Sequence, residues 1–292
     1  MKKTFIALLV LSFISIFFGN KAEAVFTTDI IRDIPFGEAS GQTLYLNVIY
    51  PVGKPTPSPV VIWLHAGGFI SGTKEEAEDG GAYDLAEAGY VVVPIDYRIS
   101  PVAEFPAQIH DIRGAARFMR ANSETYNIDP ERIGVLGVSS GGYLAAFAAV
   151  TNDEPEYFGE VGGNLDQSNE IKTALNFYGS ISTSHLDELA SSKIERIEDL
   201  LWCGDDLFAP ECAADLEEFT IENHANPGDA PIQTFHGTSD TSIPYSQSKY
   251  MTKALLQHGV SARLFLAPGY EHEMAIFVDY FNKVKRFLKQ TL

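Results

Sequence analysis

A short run of small residues provides a candidate nucleophile. Residues 137–141 read Gly-Val-Ser-Ser-Gly, between an apolar run that ends at Leu136 and a helix-like segment that begins at Ser140. At a strand-to-helix junction, Gly-x-Ser-x-Gly is typical of a sharp turn that exposes a nucleophilic serine, although a packing turn of small residues is the alternative. The helix N-terminus would also stabilise negative charge that develops there. The pattern predicts Ser139 as the nucleophile and the Ser140 backbone N–H as a donor.

A second glycine-rich segment offers further backbone donors. Residues 65–69 read His-Ala-Gly-Gly-Phe and follow the apolar run at 60–64. Glycine has no Cβ, so the chain there can turn its N–H groups toward a ligand. Together with the Ser140 amide, the amides of Gly67 and Gly68 are predicted to form an oxyanion hole. A strand-to-helix loop without a catalytic role is the alternative.

Two residues near the C-terminus could activate the serine. Asp240 lies in a loop that follows the apolar run at 232–236, and His272 precedes the last helix-like segment. Alone, each is more often a turn, cap or surface residue. Their order after Ser139 is the order of a hydrolase triad. In that interpretation His272 transfers the proton, and Asp240 orients the imidazole and stabilises its cation.

The segments around these residues alternate between strand-like and helix-like patterns, which predicts an α/β fold with a mostly parallel, doubly wound sheet and helices on both faces. Residues 25–292 are predicted to form one domain, in which 180–230 is irregular, acidic and interrupted by glycine and proline. A polar, extended stretch precedes the first predicted strand. The predicted strands are 43–50, 60–64, 90–95, 132–136, 173–178, 232–236 and 262–267, and the predicted helices are 75–88, 106–122, 140–150, 246–258 and 274–288.

The N-terminus has the pattern of a secretory signal peptide. Two lysines precede an almost wholly apolar run at 5–18, and Ala-Glu-Ala at 22–24 is a small-x-small cleavage site. Cleavage is expected after Ala24, which predicts a secreted or periplasmic protein. An uncleaved anchor helix is the alternative, but the apolar run is shorter than the roughly 20 residues that a membrane span needs.

Export gives the two cysteines a structural interpretation. Cys203 and Cys212 are nine positions apart in a segment that contains glycine and proline. An oxidising compartment allows a disulfide to persist, so the spacing predicts a bridge that closes a short loop. Two free thiols are the alternative.

Composition excludes several kinds of partner. The chain has 39 acidic and 21 basic residues and a net charge of −18, with no basic cluster. We therefore expect no nucleic-acid partner and no stable association with an anionic membrane. The acidic residues at 205–218 lack the spacing of a calcium loop and are interpreted as a solvated surface. No metal or organic cofactor is expected, and the sequence leaves the oligomeric state open.

Several segments in the same order resemble a known family. The chain is similar to the α/β-hydrolase superfamily, and within it to the hormone-sensitive-lipase-like and feruloyl-esterase-like esterases of bacteria. The resemblance runs from about Leu44 to the last helix. It rests on residues 65–69, 96–101, 105–108 with Asp111, 128–133, 137–142 and 236–244.

The resemblance implies an α/β-hydrolase fold in which 180–230 is a small cap insertion. It implies a triad of Ser139, Asp240 and His272, with oxyanion donors at Gly67, Gly68 and Ser140. The chain departs from the usual pattern where Ser140 replaces a common alanine.

The implied function is that of a secreted serine carboxylesterase without a cofactor. It would act on short-chain esters or on acetyl or feruloyl esters of plant polysaccharides. A lipase for longer acyl glycerides and an amidase or peptidase of the same fold are enzyme alternatives. A hydrolase-fold binding protein is the alternative without activity.

Overall fold

An eight-stranded sheet forms the centre of the part of the chain that the computed structural model describes, residues 24–204 and 206–292. The predicted signal peptide lies outside these residues, apart from Ala24. The strands are β1 (Thr28–Ala39), β2 (Gln42–Pro51), β3 (Ser58–Leu64), β4 (Val91–Ile95), β5 (Ile128–Val138), β6 (Ala174–Phe177), β7 (Ile232–Gly237) and β8 (Ala262–Ala267).

The sheet is mostly parallel, as predicted. Its strand order is β1-β2-β4-β3-β5-β6-β7-β8, with antiparallel pairing only of β1 with β2 and of β2 with β4 in the described chain. The strands from β4 through β8 pair in parallel. β3 and β4 are buried almost throughout, because helices cover both faces of the sheet and apolar side chains are needed on each.

The helices form two layers. Residues of α3, α5 and α8 pack into the core on one face, and residues of α2, α9 and α10 pack into the core on the other. This confirms the doubly wound arrangement. The α-helices are α1 (Glu76–Asp79), α2 (Ala82–Glu87), α3 (Ala107–Ala121), α4 (Ser123–Tyr126), α5 (Ser140–Val150), α6 (Ser191–Leu201), α7 (Ala213–Phe219), α8 (Tyr245–Gln257), α9 (Ala275–Asp279) and α10 (Phe281–Thr291). Single 3-10 turns span Pro155–Tyr157, Thr183–Glu188, Pro210–Cys212 and Ile221–Asn223.

Two predicted helices are each divided into two. The prediction over 75–88 is wrong at its centre, where Gly81 adopts φ of 105° and separates α1 from α2. A Cβ at Gly81 would overlap the ring of Phe277, so this close approach requires glycine. The prediction over 274–288 is interrupted at Tyr280, which has a non-helical ψ of 18° and packs its ring on Phe265 with centroids 4.6 Å apart.

Two further differences concern segments to which the sequence pattern assigned no strand or helix. The polar stretch before β2 is strand β1, which pairs along most of its length with β2 at the edge of the sheet. An edge strand exposes much of its surface, so its side chains do not show a clear apolar alternation. The segment 180–230 contains α6 and α7 between β6 and β7. The sequence pattern did not show them, because an amphipathic helix needs only one apolar face.

Ring stacking and hydrogen bonds attach the inserted segment 180–230 to the rest of the protein. The ring of Phe219 on α7 stacks on Tyr143 of α5 with centroids 4.5 Å apart, and the Tyr143 hydroxyl donates a hydrogen bond to the Phe219 carbonyl. The Ser100 hydroxyl donates to the carbonyl of Asp199 on α6 at 2.6 Å. The segment therefore packs directly on the helix that follows Ser139.

The structure pairs Cys203 with Cys212, as the sequence predicted. The bridge joins the end of α6 to the 3-10 turn that precedes α7. Among the described residues, no helix is both long enough and apolar enough to cross a bilayer.

We expect that removal of this bridge lowers stability. Closing a loop of this length contributes about 2–3 kcal/mol by restricting the unfolded chain. The variant Cys203→Ser with Cys212→Ser should therefore melt about 5 °C or more below the parent in a thermal denaturation scan. Reductant should lower the melting temperature of the parent and leave that of the variant unchanged. Equal melting temperatures of the oxidised parent and the variant would contradict this expectation.

Candidate active site

Ser139 occupies a strained turn at the carboxyl end of β5. Its backbone φ is 53° and its ψ is −121°, a conformation that L-residues rarely adopt. Such a conformation costs about 1–3 kcal/mol and persists only where surrounding contacts fix it. Here the Ser139 N–H donates to the Phe177 carbonyl at 2.9 Å, and its carbonyl accepts from the Gly142 N–H at 2.8 Å.

Glycines are required around this turn. A Cβ on Gly137 would overlap the carbonyl oxygen of Gly141, and a Cβ on Gly141 would overlap the carbonyl oxygen of His65. The first contact closes the turn, and the second brings the loop after β3 against the start of α5. The two glycines of the Gly-x-Ser-x-Gly pattern therefore allow three backbone segments to meet beside Ser139.

Loops after β7 and β8 bring Asp240 and His272 to Ser139. The Ser139 hydroxyl lies 2.9 Å from His272 Nε2, and His272 Nδ1 lies 2.7 Å from Asp240 Oδ2. The other oxygen of Asp240 accepts the backbone N–H groups of Ser242 and Ile243 at 2.8 and 2.9 Å. With Asp240 as acceptor, Nδ1 carries the hydrogen and Nε2 is free to accept from Ser139. The three predicted residues form one hydrogen-bonded chain.

His236 is a fourth member of this site that the sequence analysis did not single out. It is fully buried at the end of β7, and its Nε2 lies 3.1 Å from Asp240 Oδ2 and 2.9 Å from the Ile243 carbonyl oxygen. Both neighbours are acceptors, so Nε2 carries a hydrogen. Its Nδ1 lies 2.6 Å from the Ser248 hydroxyl. A signal was present in the sequence, because His236 and Asp240 are four residues apart across a tight turn.

The electrostatic environment keeps Asp240 ionised. Burial alone would raise the pKa of Asp240, but hydrogen bonds from His236, His272 and the Ile243 N–H outweigh it. The pKa of Asp240 is therefore held well below its ordinary value of 3.8. The ring of Tyr178 packs against the ring of His272, with centroids 4.5 Å apart.

Two of the three predicted backbone donors form no hydrogen bond with a described residue, one on the loop after β3 and one at the start of α5. Gly67 and Gly68 have φ of 117° and 61°, and a Cβ on Gly67 would overlap the Ser71 carbonyl. No hydrogen bond within the described part of the chain uses the N–H of Gly67 or Ser140. The Gly68 N–H differs, since it donates to the Ser140 side-chain hydroxyl at 3.0 Å. This contact exists because serine replaces alanine at 140, and it was not predicted.

Two stacked aromatic rings support the loop after β3. The rings of His65 and Tyr97 lie parallel with centroids 4.1 Å apart, and the Tyr97 hydroxyl donates to the His65 carbonyl oxygen at 3.0 Å. Burial lowers the pKa of His65, which favours a neutral ring in this stack. The loop after β3, residues 65–69, which we call the oxyanion loop for its predicted donors, therefore lies between this stack and the N-terminus of α5.

Two cavities of unequal size meet at Ser139. The larger, about 440 Å³, opens to solvent and includes His272, Tyr178, Trp63, Lys193 and Arg196 in its lining. The smaller, about 30 Å³, does not include His272. Its lining is mostly apolar and contains Phe69, Ile181, Leu189, Ile197 and Ile243. The described residues contain no group of three or more histidine, cysteine, aspartate or glutamate side chains placed to hold a metal ion.

Comparison with known proteins identifies related sequences. The model of the BD-FAE family matches residues 46–255. The chain is 27% identical over 234 residues to esterase LipC of Mycobacterium tuberculosis, covering 77% of this chain and 54% of the relative. It is 29% identical over 256 residues to isoprenylcysteine alpha-carbonyl methylesterase ICME of Arabidopsis thaliana, covering 85% and 57%. The chain spans about half the length of the curated relatives it matches.

A solved structure has the same fold over nearly its whole length. It is described as a truncated form of carbohydrate esterase from gut microbiota. It aligns with a TM-score of 0.80 at 25% identity, covering 92% of this chain and 98% of that one.

We expect the free energy of unfolding to show the depressed pKa of Asp240. A carboxyl group with a lowered native pKa stabilises the fold above its unfolded pKa, and this contribution is lost as the pH falls through the native pKa. Asp240→Asn should therefore be about 1–3 kcal/mol less stable than the parent at pH 7. The difference should narrow as the pH falls from about 5 to 3, as measured by urea denaturation.

The matched control is Asp187→Asn. Asp187 is exposed and forms no ion pair with a described residue, so this variant should follow the parent at every pH. A pH-independent difference between the parent and Asp240→Asn would contradict the lowered pKa.

Proposed function

Because the chain belongs to the BD-FAE family of α/β-hydrolases, we propose that it hydrolyses carboxylic esters through an acyl-enzyme on Ser139. The observation that carries this proposal is the hydrogen-bonded chain from Ser139 through His272 to Asp240. These three hydrogen-bonded side chains lie where the two cavities meet. An ester could therefore place its two parts on opposite sides of the serine. The esterases among its relatives support the same class of reaction.

In the first half of the reaction, Ser139 Oγ attacks the ester carbonyl carbon while His272 Nε2 accepts the hydroxyl proton. Asp240 accepts a hydrogen bond from the Nδ1–H group of His272, remains ionised and stabilises the imidazolium that forms. The tetrahedral oxyanion is bound by the N–H groups of Gly67 and Ser140, and the Gly68 N–H, shared with the Ser140 hydroxyl, is the third donor. One donor of this kind is typically worth about 3–4 kcal/mol in the transition state.

The second half releases both products. The imidazolium of His272 donates its proton to the leaving alcohol oxygen, the carbon–oxygen bond breaks, and the acyl group remains on Ser139. A water molecule then attacks the acyl carbon, and His272 accepts a water proton and returns it to Ser139 Oγ. The carboxylic acid leaves, and the serine is restored without a cofactor.

The two cavities assign the two parts of the ester. The leaving alcohol must lie beside His272, which lines the larger cavity and does not line the smaller. The acyl group therefore enters the smaller cavity. A space of 30 Å³ holds roughly two water molecules, which suits the methyl group of an acetyl ester. We propose that acetyl esters are the preferred substrates.

The alternatives fit this geometry less well. A feruloyl ring or a long fatty acyl chain exceeds the small apolar cavity, which disfavours feruloyl esterase and lipase activity. An amidase would use the same triad and differs only in the leaving group, so release of acetate from an acetylated amine separates it. A binding protein without activity would not need the strained serine and its hydrogen-bonded partners.

The alcohol part is proposed to be a carbohydrate. The larger cavity is open, and it is lined by both polar and aromatic side chains, as suits a sugar at the end of a longer chain. The similarity to a structure described as a carbohydrate esterase supports this substrate class. We further propose that residues 180–230 act as a cap over the site, because Leu189, Lys193, Arg196 and Ile197 from this segment line the cavities.

Export is also proposed. The pattern at residues 1–24 and the Cys203–Cys212 disulfide support a secreted or periplasmic location. The mass of the protein recovered outside the cytoplasm should correspond to a chain that begins at Val25. A mass that includes residues 1–24 would indicate an uncleaved anchor.

The first test is hydrolysis of nitrophenyl esters from acetyl to palmitoyl. We expect kcat/KM to be highest for acetate and to fall steeply beyond butyrate, because longer chains exceed the acyl cavity. Ser139→Ala should lose activity by about 10⁵-fold or more, since members of a triad act as a unit. Ser261→Ala, at an exposed serine, is the matched control and should retain activity. A maximum at long chains or full activity of Ser139→Ala would refute the proposal.

The second test enlarges the acyl cavity. Leu189 is buried, lines the small cavity and lies outside the triad. Leu189→Ala should shift the preference from acetyl toward butyryl esters by about tenfold, measured as the ratio of the two kcat/KM values. Leu256→Ala, at a position 55% exposed on α8, should leave the ratio unchanged. An unaltered ratio in a folded Leu189→Ala variant would show that the acyl group binds elsewhere.

A further inference from the structure

We propose that Lys193 and Arg196 form a subsite for an anionic group on the alcohol part of the ester. This inference rests on the proposed function, because it assigns a substrate class to the same site. The natural substrate would then be an acetyl ester of an acidic sugar, such as a uronic acid, whose carboxylate binds the two cations.

Helix α6 presents its two cations on the side that faces the body of the protein. Lys193 and Arg196 are three residues apart, so they share one side of the helix with the buried Ile197 and Leu200. The opposite side carries the exposed residues Glu195 and Asp199. In a chain of net charge −18, this helix turns both cations toward the body of the protein, whereas two of its three acidic residues are exposed and the third, Glu198, accepts the Leu207 N–H. Solvation alone would favour cations on the exposed side.

Both cations line the same cavities as Ser139. Lys193 and Arg196 line both the larger and the smaller cavity, and Ser139 lines both as well. The side chain of Arg196 lies over the oxyanion loop, since its Cγ is 3.6 Å from the position of a Cβ on Gly68. The two cations therefore lie beside the reacting atoms.

Neither cation has a counter-charge among the residues that the structure describes. Both side chains are half-buried, and neither forms an ion pair or side-chain hydrogen bond with any residue of the described chain. Other half-buried or buried cations differ. Lys74 lies within 3.2 Å of three carboxylates, and Arg98 pairs with Asp111 at 2.8 Å. Partial burial weakens the hydration of a charge, so an anionic ligand group gains more there than at an exposed lysine.

Carboxylates also line the larger cavity, but they are occupied or distant from this pair. Glu273 accepts the backbone N–H of Glu271 at 3.2 Å, and Glu76 accepts that of Thr73 at 3.4 Å. Neither lies within ion-pair distance of Lys193 or Arg196. The cations thus form the part of the cavity that attracts an anion.

The cavity sizes place that anion on the alcohol side. The smaller cavity has a volume of about 30 Å³, room for roughly two water molecules, so an acyl group that carries a carboxylate would be too large for it even though both cations also line it. The larger cavity has room for a sugar ring and its substituents. Arginine binds a carboxylate through two parallel N–H groups, and lysine adds a point charge. A uronic acid carboxylate fits this pair.

The experiment compares two substrates that differ in one charge. The first is the monoacetate of methyl galacturonide, and the second is the same ester with its carboxylate converted to the primary amide. Acetate release gives kcat/KM for each. The wild type should favour the carboxylate substrate at least tenfold. Lys193→Met and Arg196→Met should each lower the ratio of the two values at least fivefold, because each removes one cation from the subsite.

The matched control is Lys253→Met, which removes one exposed positive charge on α8 and therefore changes the net charge equally. It should keep the ratio of the wild type. Thermal melts establish that each variant is folded. Equal rates on the two substrates, or ratios unaffected by both α6 substitutions, would overturn the subsite.

The experiment also separates this inference from the proposed function. Nitrophenyl acetate is cleaved if the esterase proposal is correct, whatever the alcohol. Activity on nitrophenyl acetate without acetate release from either sugar would overturn the acidic-sugar substrate alone. A folded protein that is inactive on all three esters would overturn the esterase proposal and this inference with it.

Discussion

The strained turn at Ser139 depends on backbone contacts that a side chain would block. Glycines at 137, 141 and 179 let the chain pass so closely that a Cβ on any of them would overlap a carbonyl oxygen. These contacts hold Ser139 at a positive φ and place the start of α5 against the loop after β3. The triad, the oxyanion donors and both cavities are all arranged around this turn. Its conformational cost of about 1–3 kcal/mol is offset by the packing of the parallel sheet.

Charge is managed differently on the two sides of Ser139. On the His272 side, Asp240 is surrounded by donors, and the buried His236 contacts the same carboxylate oxygen as His272 does. Such a carboxylate stays ionised and orients one tautomer of His272. On the α6 side, Lys193 and Arg196 form no ion pair with any residue that the structure describes. The charge of Asp240 is satisfied within the protein and serves the proposed reaction, whereas the charges of Lys193 and Arg196 are available to the proposed substrate.

In the proposed function, specificity depends on the segment inserted between β6 and β7. The sheet and its loops carry the proposed triad, while Leu189 and Ile197 of this segment line the proposed acyl cavity and α6 presents the two cations. The disulfide and the Tyr143–Phe219 contact fix this segment to the body. Because the segment touches both cavities, changes in its sequence can alter acyl length and alcohol charge without disturbing Ser139.

The alternating α/β pattern, the disulfide pairing and the order of Ser139, Asp240 and His272 were predictable from the sequence, because these depend on local periodicity and on short motifs. The sequence did not reveal β1, whose exposed edge position hides its alternation, or α6 and α7, whose apolar faces are interrupted by acidic residues. Only the tertiary structure turned the Ser140 hydroxyl to the Gly68 N–H and placed Lys193 and Arg196 in the lining of the cavities at Ser139, and it showed that His236, close to Asp240 in sequence, contacts its carboxylate. These contacts join residues that are distant in sequence or ordinary in type, so their meaning comes from the packing that brings them together.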